Sequence, residues 1–177
     1  MTDTQAVPSG DLGVRLMTAN HVGIAVRDLD RAVAFYRALT GQEPFVQERM
    51  QGIEPMYGPK VEDQVAHVHG GAKLRYATVR LANINIDIIQ FEEPEMGTAV
   101  AGPTDQGSMH LCFEVEDLDA VYERLTAAGI KFDAPPYTFR EENGSPNAVG
   151  TRVAYFSDPD GVNLELITPA GSFVRGE

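Results

Sequence analysis

The chain carries nearly the same phrase twice. Asn20-His21-Val22-Gly23-Ile24-Ala25-Val26-Arg27-Asp28-Leu29-Asp30 runs on to Leu39-Thr40-Gly41. Later, Met109-His110-Leu111-Cys112-Phe113-Glu114-Val115-Glu116-Asp117-Leu118-Asp119 runs on to Ala127-Ala128-Gly129. Each copy is an apolar segment that starts with His, then an Asp-Leu-Asp turn, then an amphipathic stretch that stops near Gly. Each half also closes alike, with Asn85-Ile86-Asp87-Ile88-Ile89 in the first and Asn163-Leu164-Glu165-Leu166-Ile167 in the second. Whatever unit the first copy folds into, the second must be able to form as well.

Period 2 governs the two openings. Val22, Ile24 and Val26 alternate with His21, Gly23 and Ala25, and Leu111, Phe113 and Val115 alternate with His110, Cys112 and Glu114. Successive side chains of a strand point to opposite faces, so each bulky apolar set shares one face and each His takes the other. The period then changes. Leu29, Ala32, Val33, Tyr36 and Leu39 recur at helical spacing, as do Leu118, Val121, Tyr122 and Leu125. Asp28 and Asp117 stand where N-caps belong, and Gly41 and Gly129 where helices stop. Each helix is predicted to cover the apolar face of its own strand.

Three more strands are expected in each half, over residues 45–49, 74–81 and 84–91 and over residues 131–133, 152–156 and 162–167. Asp158-Pro159-Asp160-Gly161 is a strong turn signal between the last two. The fold class is therefore α+β, with two β-α-β-β-β modules forming an open, cup-shaped mixed sheet. The expected division is a flexible tail over 1–17, a first module over 18–95, a linker over 96–108, a second module over 109–169 and a C-terminal tail over 170–177. Residues 50–71 read as an inserted loop at the mouth of the site. His67 and His69 in that loop suit its rim better than a metal.

With 177 residues and 43% hydrophobic content, the chain can bury a real core. A net charge of -12 argues against nucleic acid or an anionic membrane surface as partner. No run of about 18 apolar residues is present, so no spanning helix is expected. Met1-Thr2-Asp3-Thr4-Gln5 lacks the basic and apolar regions of a signal peptide, and the single Cys112 suits a reducing compartment. A cytoplasmic protein is the expectation.

Parity in the closing segments singles out the chemistry. Ile86 and Ile88 share one face and Asp87 the other; Leu164 and Leu166 share one face and Glu165 the other. If the apolar faces pack on helices, Asp87 and Glu165 point where His21 and His110 point. A carboxylate between branched apolar neighbours is costly unless it is paired or bound to a cation. Two imidazoles and two carboxylates suit one divalent transition metal: Zn, Ni, Co, Mn or Fe(II). Gln90 is a rival to Asp87, but parity sets it with Ile86 and Ile88. Cys112 shares the face of His110 and reads as a small inert thiol.

These openings, Phe35-Tyr36 on the first helix and the ending Asp158-Pro159-Asp160-Gly161-Val162-Asn163-Leu164-Glu165-Leu166 resemble the vicinal oxygen chelate superfamily over residues 18–169. That group includes glyoxalase I, methylmalonyl-CoA epimerase, extradiol dioxygenases and bleomycin-type resistance proteins. The resemblance implies a glyoxalase-like fold and carries metal ligation onto His21, His110 and Glu165. The fourth family position, usually Glu or Gln, falls on Asp87, one methylene shorter. It also implies an isomerase or epimerase that abstracts a proton next to a carbonyl through a metal-stabilised enediolate, with Glu165 and Asp87 as the catalytic carboxylates. A ketose, a cyclitol or an acyl ester is the expected small-molecule substrate. The second catalytic Glu that methylmalonyl-CoA epimerases carry on the strand matching 74–81 has no counterpart here, which weighs against a CoA ester. Tyr76, Thr78, Arg80 and Arg152 are weaker candidates for substrate binding. A homodimer is expected, because open sheet edges need covering. The competing functions are a glyoxalase I-type lyase, an Fe(II) extradiol dioxygenase and a sequestering resistance protein.

Overall fold

The structure, a computed structural model, describes residues 18–47, 73–93, 97, 99–143 and 146–174. The tail expected over 1–17 and the inserted loop over 50–71 lie outside the described residues. The first half forms β1 (His21–Ala25), α1 (Leu29–Thr40), β2 (Phe45–Gln47), β3 (Lys73–Arg80) and β4 (Asn85–Glu93). The second forms β5 (His110–Glu114), α2 (Leu118–Ala127), β6 (Tyr137–Thr138), β7 (Arg152–Ser157) and β8 (Asn163–Thr168). The order is β-α-β-β-β twice, as the repeat predicts.

Each half makes a four-stranded sheet, ordered β1-β4-β3-β2 and β5-β8-β7-β6. The first and last strands of each module pair in parallel, and the other pairings are antiparallel. The registers repeat position for position. His21 lies opposite Asn85 and Gly23 opposite Asp87; His110 lies opposite Asn163 and Cys112 opposite Glu165. Parity then sets each His and its carboxylate on one face, on neighbouring strands.

The helices form where the sequence signals them. The side chains of Asp28 and Asp117 accept from the N–H groups of Arg31 and Ala120, closing both N-termini. Gly41, at φ 67, takes the left-handed turn that ends α1. Ile24, Val26, Leu29, Tyr36, Ile86 and Ile88 are buried between the first sheet and α1. Leu118, Ala154, Phe156, Leu164 and Leu166 are buried in the second module. Each of the buried Val, Leu, Ile and Phe side chains among them contributes about 1.5–3 kcal/mol by leaving water. Phe35, Leu39, Leu111, Phe113 and Val162 pack against both clusters, so the two cores run together.

One strand is not where the sequence suggests. Residues 131–133 make only an isolated bridge, Phe132 to Phe156, and the fourth strand is β6. The Phe132 ring sits 4.6 Å from that of Tyr122 and 5.0 Å from that of Phe156, so aromatic packing anchors the segment. Pro135 and Pro136 follow with no N–H to give a ladder, and pairing resumes at Tyr137.

A polar latch joins the modules. The buried Tyr36 hydroxyl on α1 donates to Asp158 Oδ2 at 3.1 Å, in the turn between β7 and β8. Asp158 Oδ1 accepts from the N–H groups of Asp160 and Val162 at 2.8 and 2.9 Å. Asp160 Oδ1 accepts from the Arg27 N–H at 3.1 Å and from Arg31 Nη2 at 2.8 Å. Burial holds the Asp158 carboxyl above its ordinary value, and burial beside that carboxylate pushes the Tyr36 phenol well up.

Candidate functional site

Glu165 is buried at 6% exposure, although a carboxylate at mid-strand normally seeks water. Its position is set from both sides. Leu164 and Leu166 bury on the opposite face and lock β8. On its own face Glu165 Oε2 lies 3.0 Å from His110 Nε2, and Oε1 accepts from the Tyr155 hydroxyl at 2.9 Å. The ring of Tyr155 meets that of His110 edge-on, at 6.2 Å and 86°. Burial first, and then the hydrogen bond to Glu165, push the Tyr155 phenol up to about 12, so it stays a donor at neutral pH.

The first module repeats this arrangement more openly. His21 Nε2 faces Asp87 Oδ2 at 3.9 Å, with the His half exposed and the Asp side chain one quarter exposed. Asp87 Oδ1 accepts from the Thr78 hydroxyl at 2.6 Å. On its outer side, His21 Nδ1 lies 2.9 Å from the Asn20 side-chain oxygen. That oxygen can only accept, so Nδ1 donates to it, and Nε2 is the ring nitrogen turned toward Asp87.

The structure thus brings His21 to Asp87 and His110 to Glu165. It does not bring the two pairs together: among the described residues no group of three or more His, Cys, Asp or Glu side chains is placed to hold one ion. Gln90 sits on the other face of β4, as parity requires. Its side-chain oxygen accepts from the Leu29 N–H at 2.9 Å and so satisfies the start of α1.

The weaker candidates divide. Tyr76, Thr78 and Arg80 share the face of Asp87, because the intervening Ala77 and Val79 are buried. Thr78 lies directly opposite Asp87, and the Arg80 guanidinium lies 5.8 Å over the ring of Phe45 on the outer strand. Arg152 is elsewhere. Alternation along β7 sets it with the buried Ala154 and Phe156, facing α2, where Asp119 takes it bidentately at 2.6 and 2.8 Å. This is a correction to the sequence reading, and the cause is parity. Cys112 lies opposite Glu165, and loss of solvent, then the carboxylate beside it, push its thiol up to about 12. At neutral pH it is an inert thiol.

Tyr155 was missed, and the signal for it was present. A hairpin that turns at Asp160 sets Tyr155 directly across from Glu165. Beside Tyr155 and His110 lies a cavity of about 330 Å³, bordered also by Asn163, Ser108 and Asp133 among others. That volume accommodates a small molecule.

Known proteins share this architecture. The chain is 31% identical over 159 residues to a 2-epi-5-epi-valiolone epimerase from Actinomyces, covering 88% of this chain and 82% of that one. It is 28% identical over 167 residues to a lactoylglutathione lyase from Pseudomonas aeruginosa, covering 89% and 86%. A glyoxalase family protein of known structure from Bacillus cereus aligns with a TM-score of 0.65 at 20% identity, over 92% of this chain and 100% of that one. The model of one family matches residues 18–166, and the chain belongs to that family, the glyoxalase/bleomycin resistance protein/dioxygenase superfamily.

Proposed function

We propose that the chain is a metal-dependent epimerase that removes and returns a proton on the carbon beside a carbonyl, acting on a small polyhydroxylated ketone of the ketose or cyclitol class. The observation that carries this reading is the doubled pair. Buried Glu165 lies at hydrogen-bond distance from His110, and Asp87 faces His21 at the same register in the other module.

The donor chemistry fits a divalent transition metal, Zn, Ni, Co, Mn or Fe(II). His21 turns Nε2 toward the Asp87 carboxylate, and a carboxylate buried like Glu165 calls for a cationic partner. His21, Asp87, His110 and Glu165 would hold the ion, with the two pairs meeting across a homodimer. A metal bound there supplies Lewis-acid polarisation of the substrate carbonyl. Glu165 takes the proton from the neighbouring carbon. Asp87, from the other module, would pass a solvent proton to the opposite face of that carbon, which inverts the centre, while Glu165 gives the abstracted proton up to solvent.

Relatives and cavity favour the substrate class. The epimerase relative is named for a ketone. Ser108, Asn163 and Asp133 offer hydrogen-bond partners for hydroxyl groups in the cavity beside His110. The second reading is a glyoxalase I-type lyase, favoured by the relative that is a lactoylglutathione lyase and resting on the same proton transfer. A homodimer fits the outer strands, where Phe45, Val46 and Tyr137 are exposed.

The test is metal-loaded protein in heavy water with ketoses, cyclitol ketones, acyl esters and hemithioacetals. Deuterium should enter the epimerised carbon of a ketose or cyclitol ketone with no oxygen consumed. Glu165→Ala should remain folded, retain no metal and lower exchange by about 100-fold or more. Oxygen uptake would replace the epimerase with a dioxygenase. Exchange confined to the hemithioacetal would favour the lyase, and binding without exchange across the panel a sequestering protein.

A further inference from the structure

Each site carboxylate is gripped from behind by a hydroxyl on the strand next to it. Tyr155 on β7 donates to Glu165 Oε1 at 2.9 Å, and Thr78 on β3 donates to Asp87 Oδ1 at 2.6 Å. In both modules the hydroxyl residue lies directly opposite its carboxylate in the antiparallel register. In both, the second carboxylate oxygen is the one that faces a His Nε2, at 3.0 Å in one module and 3.9 Å in the other. The side chains are also matched in reach. The shorter Asp meets the shorter Thr, and the longer Glu meets the longer Tyr.

We propose that Tyr155 is a positioning residue that reserves Oε1 of Glu165 and leaves Oε2 as the single oxygen offered toward His110, with Thr78 doing the same for Asp87. A free carboxylate has two equivalent oxygens and about four acceptor sites, and it can take a cation through one oxygen or both. A fixed donor on one oxygen removes that choice. Tyr155 does more than occupy a lone pair, because its ring also braces His110 edge-on. One residue therefore holds the acid and the imidazole in a fixed relation. Its own placement is firm, since Ala154 and Phe156 on either side are buried against the second core.

This inference rests on reading the His–carboxylate pairs as a metal centre, and cobalt(II) distinguishes the two levels. Cobalt affinity by calorimetry and the visible cobalt spectrum are measured for the full-length wild type, Glu165→Ala, Tyr155→Phe, Thr78→Val and Thr78→Ser. Tyr155→Phe keeps the ring and removes the hydroxyl. It should melt as the wild type does, bind cobalt about 10-fold or more weakly, and show a weaker absorption band as Glu165 takes the ion through both oxygens. Thr78→Val should behave alike, and Thr78→Ser should restore wild-type binding. If the wild type binds cobalt, Glu165→Ala does not, and Tyr155→Phe matches the wild type in affinity and spectrum, the positioning role is overturned while the metal centre stands. If the wild type binds no cobalt, or Glu165→Ala binds it unchanged, the metal centre falls and takes the positioning role with it.

Discussion

Asp87 and Gln90 sit on one strand and face opposite ways. Either could have been the fourth ligand by residue type, and only the period of the strand separates them. Gln90 spends its side-chain oxygen on the Leu29 N–H. Gln90→Leu should therefore cost about 1 kcal/mol in urea unfolding, the worth of a lost cap, with cobalt stoichiometry unchanged. A variant of wild-type stability that has lost metal would return Gln90 to the ligand set. Parity read from the sequence thus placed His21, Asp87, His110 and Glu165 on their faces correctly. Tyr155 needs the pairing of β7 with β8 as well, because only the turn at Asp160 puts it opposite Glu165 and turns Arg152 to the other face.

Among the elements, the caps and the two helices were legible because Asp28, Asp117 and Gly41 act on their immediate neighbours. That residues 131–133 make only a bridge, with the strand at Tyr137–Thr138, was not, because the packing of Phe132 between Tyr122 and Phe156 is a tertiary event. The turn between β7 and β8 carries its own pH signature. Burial raises the Asp158 carboxyl above its ordinary value, against the opposing pull of the Val162 and Asp160 N–H groups and of Tyr36. The folded chain therefore keeps that proton to higher pH than the unfolded chain, which releases it near about 3.9. The stability this adds is present below that pH and is lost as pH rises through the raised folded value. Asp158→Asn removes the slope. Urea unfolding from about pH 4 to about pH 7 should show the difference in stability moving in the variant's favour as pH rises. A parallel course for the two proteins would show that Asp158 titrates alike in both states.

At the scale of the whole molecule, the repeat announced two modules and was silent on how they meet. The latch explains why. Asp158 and Asp160 grip α1, while the matching turn of the first module, at Ala82 and Asn83, has no carboxylate to offer. That second junction is a cavity of about 430 Å³, and Pro169 and Phe173 line it together with Leu81, Asn83 and Ile84. The Asn85 N–H donates to the Asn20 carbonyl at 3.1 Å, so the approach to β1 lies at the same end of β4. The chain leaving the second module therefore comes to rest close to where the first module starts. A short Gly/Ser bridge from there to β1, with the chain reopened between the modules, should give a protein that leads with the second module, unfolds cooperatively and binds cobalt as the parent does. A permuted chain that will not fold would show that synthesis order matters. If it folds, the architecture has no need of the order in which the two halves follow each other along the chain.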